Sequence, residues 1–292
     1  MRDAEGTPGA LPRPFRLRAR VRGVSRVAGP VVLGTAAVGP SVTPSVFTPG
    51  LATALWLAGS AALVLGLSLS FRHATPRIAH REMGAPVTGR WCAVNSPSTR
   101  VPSHRTNAYG QTFAVGLVHE PEERSRPAFG EGPGFRPAKE FPAFGQELLA
   151  PANGRVVKVR DRARDHLSRS NRFAGAYMIW ESMIRELAGP RQILGNHIIL
   201  DLGDGTYAVF AHLQQGSATV RPGQFVHRGQ RIGRCGNSGN SSEPHLHFQL
   251  MDHRWPLVAA GLPFTFSAVS IDGREVKDGV PADGQTMVVA TR

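Results

Sequence analysis

The first quarter of the chain divides into a basic segment and a long apolar one. Residues 1–26 carry seven arginines against one aspartate and one glutamate, and their prolines oppose a helix, so we expect a disordered basic tail. No charged residue occurs from Val27 to Phe71, and the twenty residues 51–70 are long and apolar enough to cross a bilayer. The pattern predicts a membrane segment at 27–71 with its span at 51–70, then a linker at 72–90.

Prolines interrupt the first half of this apolar segment, at Pro30, Pro40 and Pro44, so a single crossing is predicted rather than two. The basic tail predicts a cytoplasmic N-terminus. One crossing then places the rest of the chain outside, whereas two crossings would leave it inside. We favour a protein of the cell membrane whose main domain is extracytoplasmic.

Short strands separated by turns are predicted throughout residues 91–262, which we interpret as one domain. Residues 112–118 predict one strand, and residues 147–159 predict two strands joined by an Asn-Gly turn. An insertion at 161–195 breaks this β pattern. Closing strands and a frayed end are expected at 263–292.

The insertion contains a predicted helix, because apolar residues recur at helical spacing over Ala174–Leu187 and a Gly-Pro pair follows. A packing helix is favoured over a lid beside a binding site. Directly after the insertion, His197–Leu202 and Thr206–Leu213 flank a Gly-Asp-Gly turn and predict a hairpin. On its second strand, Phe210 and His212 are expected to share one face with Ala208.

Alternation along the next strand places two histidines on one face. Successive side chains of a strand point to opposite faces, so His245, His247 and Gln249 share one face. The residues between them, Leu246 and Phe248, are apolar and belong to the core. Two imidazoles about 7 Å apart along a strand can hold one metal ion and the water that it activates.

Composition narrows the class of protein. The 292 residues carry a net charge of +13, and 33 Gly and 23 Pro favour strands and loops over long helices. Nearly all of the positive charge is arginine, and no aromatic residues alternate with it to stack bases, so a nucleic-acid partner is disfavoured. Cys92 and Cys235 form no metal motif, and their pairing stays open.

Four motifs occur in fixed order, at Ala150–Val157, Gly203–Leu213, Val220–Gly233 and Gly236–Phe248. Together they resemble the M23 family of zinc metallopeptidases, of the lysostaphin and LytM type, across roughly residues 100–260. The resemblance implies a mainly β fold, an antiparallel sheet or sandwich of the duplicated hybrid type, with one helical insertion and here preceded by a transmembrane segment. It also implies zinc in a groove and a peptidoglycan peptide as substrate.

The resemblance assigns roles to the histidines and exposes a departure. It implies that His247 is a zinc ligand and that His212 and His245 are catalytic. The family's early His and Asp ligands have no counterparts, because Thr112 and Gly116 stand in their places. His104 is the substitute ligand that we favour. His119 and Glu120 are other nearby donors, and Cys235 is a less favoured soft ligand.

Two functions are therefore carried forward. The first is a membrane-anchored zinc endopeptidase that cleaves peptidoglycan peptides, with His104 and His247 on Zn²⁺. The second is a non-catalytic module with an incomplete zinc site that binds the cell wall or regulates another wall hydrolase. Zinc is expected to bind weakly, because the site lacks a charged ligand.

Overall fold

A computed structural model describes residues 11–71 and 78–290, which form a helical hairpin followed by a β domain. In these residues the α-helices are α1 (Arg13–Val42), α2 (Pro49–Phe71), α3 (Arg172–Leu187) and α4 (Pro190–Leu194). The strands are β1 (Arg81–Met83), β2 (Gly89–Val94), β3 (Val115–His119), β4 (Phe135–Arg136), β5 (Glu147–Leu149), β6 (Gly154–Arg160), β7 (Ser168–Arg169), β8 (His197–Asp201), β9 (Tyr207–Ala211), β10 (Phe225–Val226), β11 (Arg231–Arg234), β12 (Leu246–Met251), β13 (Gly261–Leu262), β14 (Phe264–Ile271), β15 (Arg274–Gly279) and β16 (Thr286–Val289).

Helices α1 and α2 pack against each other in antiparallel fashion. A Cβ at Gly29 would meet Leu63, and a Cβ at Gly59 would meet Leu33, each at 2.9 Å, so glycine permits the close approach of the two backbones. Pro30 and Pro40 lie inside α1, so the expectation that prolines would break this segment is wrong. Among the described residues, α2 is the one helix long and apolar enough to cross a membrane.

Of the predicted disordered tail, residues 1–10 lie outside the described residues, whereas residues 13–26 differ from the prediction and form the first turns of α1. Its arginines are held by the β domain. Arg20 donates to both carboxylate oxygens of Asp252 at 3.2 and 3.1 Å. Buried Arg22 donates to the carbonyl oxygen of Ala259. We name residues 13–26 the basic arm. Because the arm contacts the domain, both ends of the hairpin lie on the domain's side.

A large sheet forms the centre of the domain, in the order β1-β14-β16-β2-β3-β12-β9-β8-β6-β10. Its pairs are antiparallel except for β1 with β14. The predicted mainly β, antiparallel architecture is confirmed. The main core cluster lies on one face of this sheet and is centred on Phe248, whose ring packs against Phe210, Phe264 and Phe266 at centroid distances of 5.3, 5.1 and 5.7 Å.

Several local predictions need correction. Residues 108–113 form a short 3-10 helix, so the strand predicted at 112–118 begins only at Val115. The two strands predicted at 147–159 exist, but they are not a hairpin, because β5 pairs with β11 and β6 pairs with β8. The predicted linker contains β1, which pairs with β14, and residues 72–77 lie outside the described residues.

The hairpin predicted at 197–213 is confirmed by the pairing of β8 with β9. The helix predicted in the insertion is also confirmed, as α3. Asn171 caps it, because its side chain accepts a hydrogen bond from the backbone N–H of Ala174 at 2.9 Å. Both cysteines are free and buried in the structure.

Candidate functional site

The histidine-bearing strand β12 lies in the middle of the large sheet. His247 is directly opposite Gly116 of β3 on one side and Ala211 of β9 on the other. Its neighbours Leu246 and Phe248 enter the core, as the alternation predicted. A central strand is held on both edges by hydrogen bonds, so the direction of the His247 side chain is well fixed.

His212 reaches the same site by a backbone change that alternation did not predict. It follows β9 and has a φ of +63°, in the left-handed region. Phe210 of β9 packs in the core, and Leu213 also enters it, so the left-handed residue shifts the alternation by one position. The expectation that His212 shares a face with Ala208 and Phe210 is therefore wrong.

Four imidazoles form one cluster around His247. Ring centroids lie 4.7 Å apart for His104 and His247, 4.8 Å for His212 and His245, and 5.7 Å for His212 and His247. His212 and His247 are 4% and 3% exposed, whereas His104 and His245 are partly exposed at the groove. The structure thus brings together the four histidines singled out from the sequence.

Hydrogen bonds orient three of these rings. The Nδ1 atoms of His212 and His245 lie 2.8 Å from the carbonyl oxygens of Ser238 and Glu243, so each Nδ1 donates. The Nδ1 of His104 lies 3.1 Å from the hydroxyl of Ser103. With Nδ1 protonated, the Nε2 atoms of His212 and His245 are left as lone-pair acceptors, the form that binds a proton, a metal or a polar ligand.

The ring of His247 forms its hydrogen bond through Nε2, whereas the other three rings use Nδ1. Its Nε2 lies 2.8 Å from Oε1 of buried Gln249. The amide of Gln249 in turn donates to the carbonyl oxygen of Tyr109 at 2.8 Å. Gln249 was placed on the correct face by alternation, but the contact with Tyr109 was not foreseen, because it joins residues 140 positions apart.

The position opposite His247 is filled by an apolar neighbour. A Cβ at Gly116 would lie 2.7 Å from Cγ2 of Val94 and 3.4 Å from Cδ2 of His245. Val94 pairs with Gly116 from β2, so its methyl group covers the place from which a side chain at 116 would project. The side chain of Thr112 is hydrogen-bonded away from the cluster, because its hydroxyl donates to Oδ1 of Asn107 at 2.9 Å.

The other donors considered from the sequence lie elsewhere. The ring of His119 packs against Trp91 at a centroid distance of 4.9 Å. The carboxylate of Glu120 pairs with Arg126 at 2.8 Å. Cys235 lies in the core, where burial raises the pKa of its thiol. None of these three side chains lies beside His247 as a further metal ligand.

The residues present do not fit a catalytic zinc site. Such sites use three protein ligands and leave a fourth position for water. Across residues 11–71 and 78–290, no three His, Cys, Asp or Glu side chains are placed so as to hold one metal ion. His104 and His247 are adjacent, but the third position is Gly116, beneath the methyl group of Val94.

The cluster forms the floor of a groove of about 460 Å³. Its walls come from Arg26 in the middle of α1, from the end of α2, from residues 104–111 and from α3 and α4. Arg26 lies at one wall, where its guanidinium stacks over Tyr109 at 5.3 Å and pairs with Glu186. This volume is within the range of small-ligand sites and suits a short peptide.

Burial keeps the four imidazoles neutral near pH 7. Desolvation lowers the pKa of His247 to about 4, against the smaller effect of its hydrogen bond with Gln249. Desolvation also lowers the pKa of His104 and His212 well below the ordinary histidine value, and neighbouring histidines add to both shifts. Desolvation lowers the pKa of His245 as well. The site therefore offers neutral nitrogen acceptors.

Comparison with known proteins identifies the domain. The model of Peptidase family M23 matches residues 139–258. The peptidoglycan DD-endopeptidase ShyA of Vibrio cholerae is 32% identical over 104 residues, which are 33% of this chain and 24% of that protein. An uncharacterized metalloprotease of Haemophilus influenzae is 27% identical over 158 residues, which are 49% of this chain and 26% of that protein. The catalytic domain of lysostaphin from Staphylococcus simulans has 19% identity and a TM-score of 0.30, and the match covers 52% of this chain and 77% of that chain.

The histidine groove thus lies at the centre of an antiparallel sheet, in a domain whose residues 139–258 match the model of Peptidase family M23, as the motifs predicted. The chain spans about a quarter of the length of the curated relatives that it matches.

Proposed function

We propose that this chain is a membrane-anchored M23-type module that binds a peptide of peptidoglycan in the histidine groove without cleaving it. The observation that carries the proposal is the position opposite His247, where Gly116 lies beneath Val94. No carboxylate completes the metal site there. A groove of peptide size with neutral imidazoles at its floor remains.

Binding chemistry is supplied by the groove's own polar groups. Acceptor nitrogens of His212 and His245 can receive hydrogen bonds from peptide N–H groups. Arg105 lines the same groove, is exposed and can pair with a carboxylate of a wall peptide. A second M23-type hydrolase is the partner that such a module would guide to the same peptide.

A soluble peptidoglycan fragment tests this proposal with the full chain in lipid nanodiscs. We expect calorimetric binding that is unchanged by EDTA, and no cleavage products by mass spectrometry. His245→Ala should weaken binding at least about tenfold, a loss of about 1.4 kcal/mol. His227→Ala is the matched control, because His227 is an exposed histidine outside the groove. Absence of binding would contradict the proposal.

A zinc endopeptidase is the second candidate. It is favoured by the approach of His212 to His245, which are the two residues expected to be catalytic. In the same assay, cleavage that requires added zinc and stops with EDTA would support this candidate and overturn the first.

The proposal places the β domain on the outer side of the membrane, where its ligand lies. Because the hairpin returns to the domain's side, the basic arm would lie there too, and this proposal replaces the cytoplasmic N-terminus that the sequence predicted. Two of its arginines, Arg20 and Arg26, pair with the carboxylates of Asp252 and Glu186, which reduces the basic charge available for orientation. We expect a cysteine introduced by Phe225→Cys to react with a membrane-impermeant maleimide on intact cells. Labelling only after lysis would contradict an outer location.

A further inference from the structure

Helix α3 is amphipathic, but its apolar side faces outward. Its outer stripe has the 3-4 spacing of one helix face, and three of its members, Trp180, Ile184 and Leu187, are 69%, 64% and 86% exposed. Ile179 and Met183 extend the exposed apolar surface beside them. The full stripe is Phe173, Tyr177, Trp180, Ile184 and Leu187.

The polar side of α3 is the one that contacts the protein. Glu181 pairs with Arg169, which is 6% exposed. Ser182 donates to Oδ1 of Asn240 at 2.7 Å. Glu186 accepts a hydrogen bond from the hydroxyl of Tyr109 at 3.0 Å. These contacts fix the rotation of α3, so its apolar stripe cannot turn inward without breaking them.

Helix α3 lies beside the end of the hairpin. Glu186 pairs with Arg26 of α1, and Met178 and Glu186 line the same groove as Leu67 and Phe71 of α2. Phe71 is the last residue of α2, where the apolar helix ends, and it is itself exposed. An apolar stripe next to this end continues the apolar surface of the hairpin.

We propose that α3 lies in the lipid–water interface of the bilayer that α2 crosses, with its apolar stripe among the acyl chains. The inference rests on the proposed membrane anchoring. Arginines near the two ends of the helix, Arg172 and Arg191, are exposed and can reach lipid phosphates. A helix with an apolar face, a charged opposite face and flanking basic residues is typical of interfacial membrane binding.

This placement adds a constraint to the ligand of the groove. Because α3 forms one wall of the groove, the groove opens at the bilayer surface. Its ligand is then a peptide presented at the membrane surface rather than one in the distant wall.

Spin labels on single introduced cysteines test the placement. The full chain is reconstituted in vesicles of phosphatidylcholine and phosphatidylglycerol, with the label at Trp180→Cys or Ile184→Cys. The native cysteines are buried and react little. Leu57→Cys in α2 is the reference for lipid, and Phe225→Cys, at an exposed aromatic of β10, is the reference for water. We expect labels at 180 and 184 to be severalfold more accessible to oxygen than to a water-soluble nickel complex, as at 57, and the label at 225 to show the reverse.

The references separate the possible failures. If 57 has the lipid profile while 180 and 184 resemble 225, the anchoring stands and the inference is wrong. Exclusion of both reagents at 180 and 184 would show a protein partner on the stripe and would also overturn it. If 57 itself has the aqueous profile, the proposed anchoring fails as well.

Discussion

Gly116→Asp combined with Val94→Ala raises zinc affinity by more than tenfold over the native chain. The new carboxylate projects from the position opposite His247, next to His245, and supplies the charged ligand that the cluster lacks. Val94→Ala is needed because a Cβ at 116 would lie 2.7 Å from Cγ2 of Val94. Titration calorimetry with zinc measures the gain.

Matched variants separate charge from shape. Gly116→Asn with Val94→Ala has nearly the same volume without the carboxylate and should gain little affinity. Gly116→Asp alone should reduce the free energy of unfolding by about 1–3 kcal/mol, because it overpacks the contact with Val94. If the double variant binds zinc no better than the native chain, the incomplete position is not Gly116 and the proposed reason for lost catalysis is wrong.

Acid destabilises the chain between about pH 6.5 and pH 4. The pKa of His247 is about 4 in the folded chain, so in this range the unfolded chain binds a proton that the folded chain does not. Stability therefore falls as the pH falls, and no contribution arises above pH 6.5. His247 alone accounts for up to about 3 kcal/mol at pH 4. His197, His104 and His212 act in the same direction, because burial lowers the pKa of each.

Urea unfolding at a series of pH values, in detergent with EDTA, measures this effect. The chain has four tryptophans, and Trp91, which is buried in β2, makes their combined emission sensitive to unfolding of the β domain. His247→Gln should flatten part of the pH dependence, whereas His227→Gln, at an exposed site, is the control. Equal stability at pH 6.5 and pH 4 would show that the cluster takes up protons in the folded state.

Local periodicity predicted those parts of the site that lie on regular strands. Alternation placed His247 and Gln249 on one face of β12, and the hairpin of β8 and β9 followed from its central turn. It failed at His212, since a single left-handed residue reverses the alternation and nothing in the neighbouring sequence marks it.

Contacts between distant segments were outside the reach of local patterns. The Asn-Gly pair after β5 indicated a hairpin, but the pairing of β5 with β11 and of β6 with β8 separated the two strands. The basic composition of residues 1–26 indicated disorder, yet residues 13–26 form a helix that Asp252 and Ala259 hold through Arg20 and Arg22. Gly116 could be identified from the sequence as a departure from the motif of the family. The contact of Val94 with this position could not, because it depends on the pairing of β2 with β3.

The contacts of the basic arm limit how far the groove can move away from the helical hairpin. Arg20 on Asp252 and Arg22 on Ala259 join α1 to the domain, and α1 also packs along α2. Among the described residues, these contacts join both helices to the domain that carries the groove. Under the proposed anchoring, the groove then stays at a nearly fixed height above the bilayer, and peptides in the outer layers of a thick wall are beyond its reach.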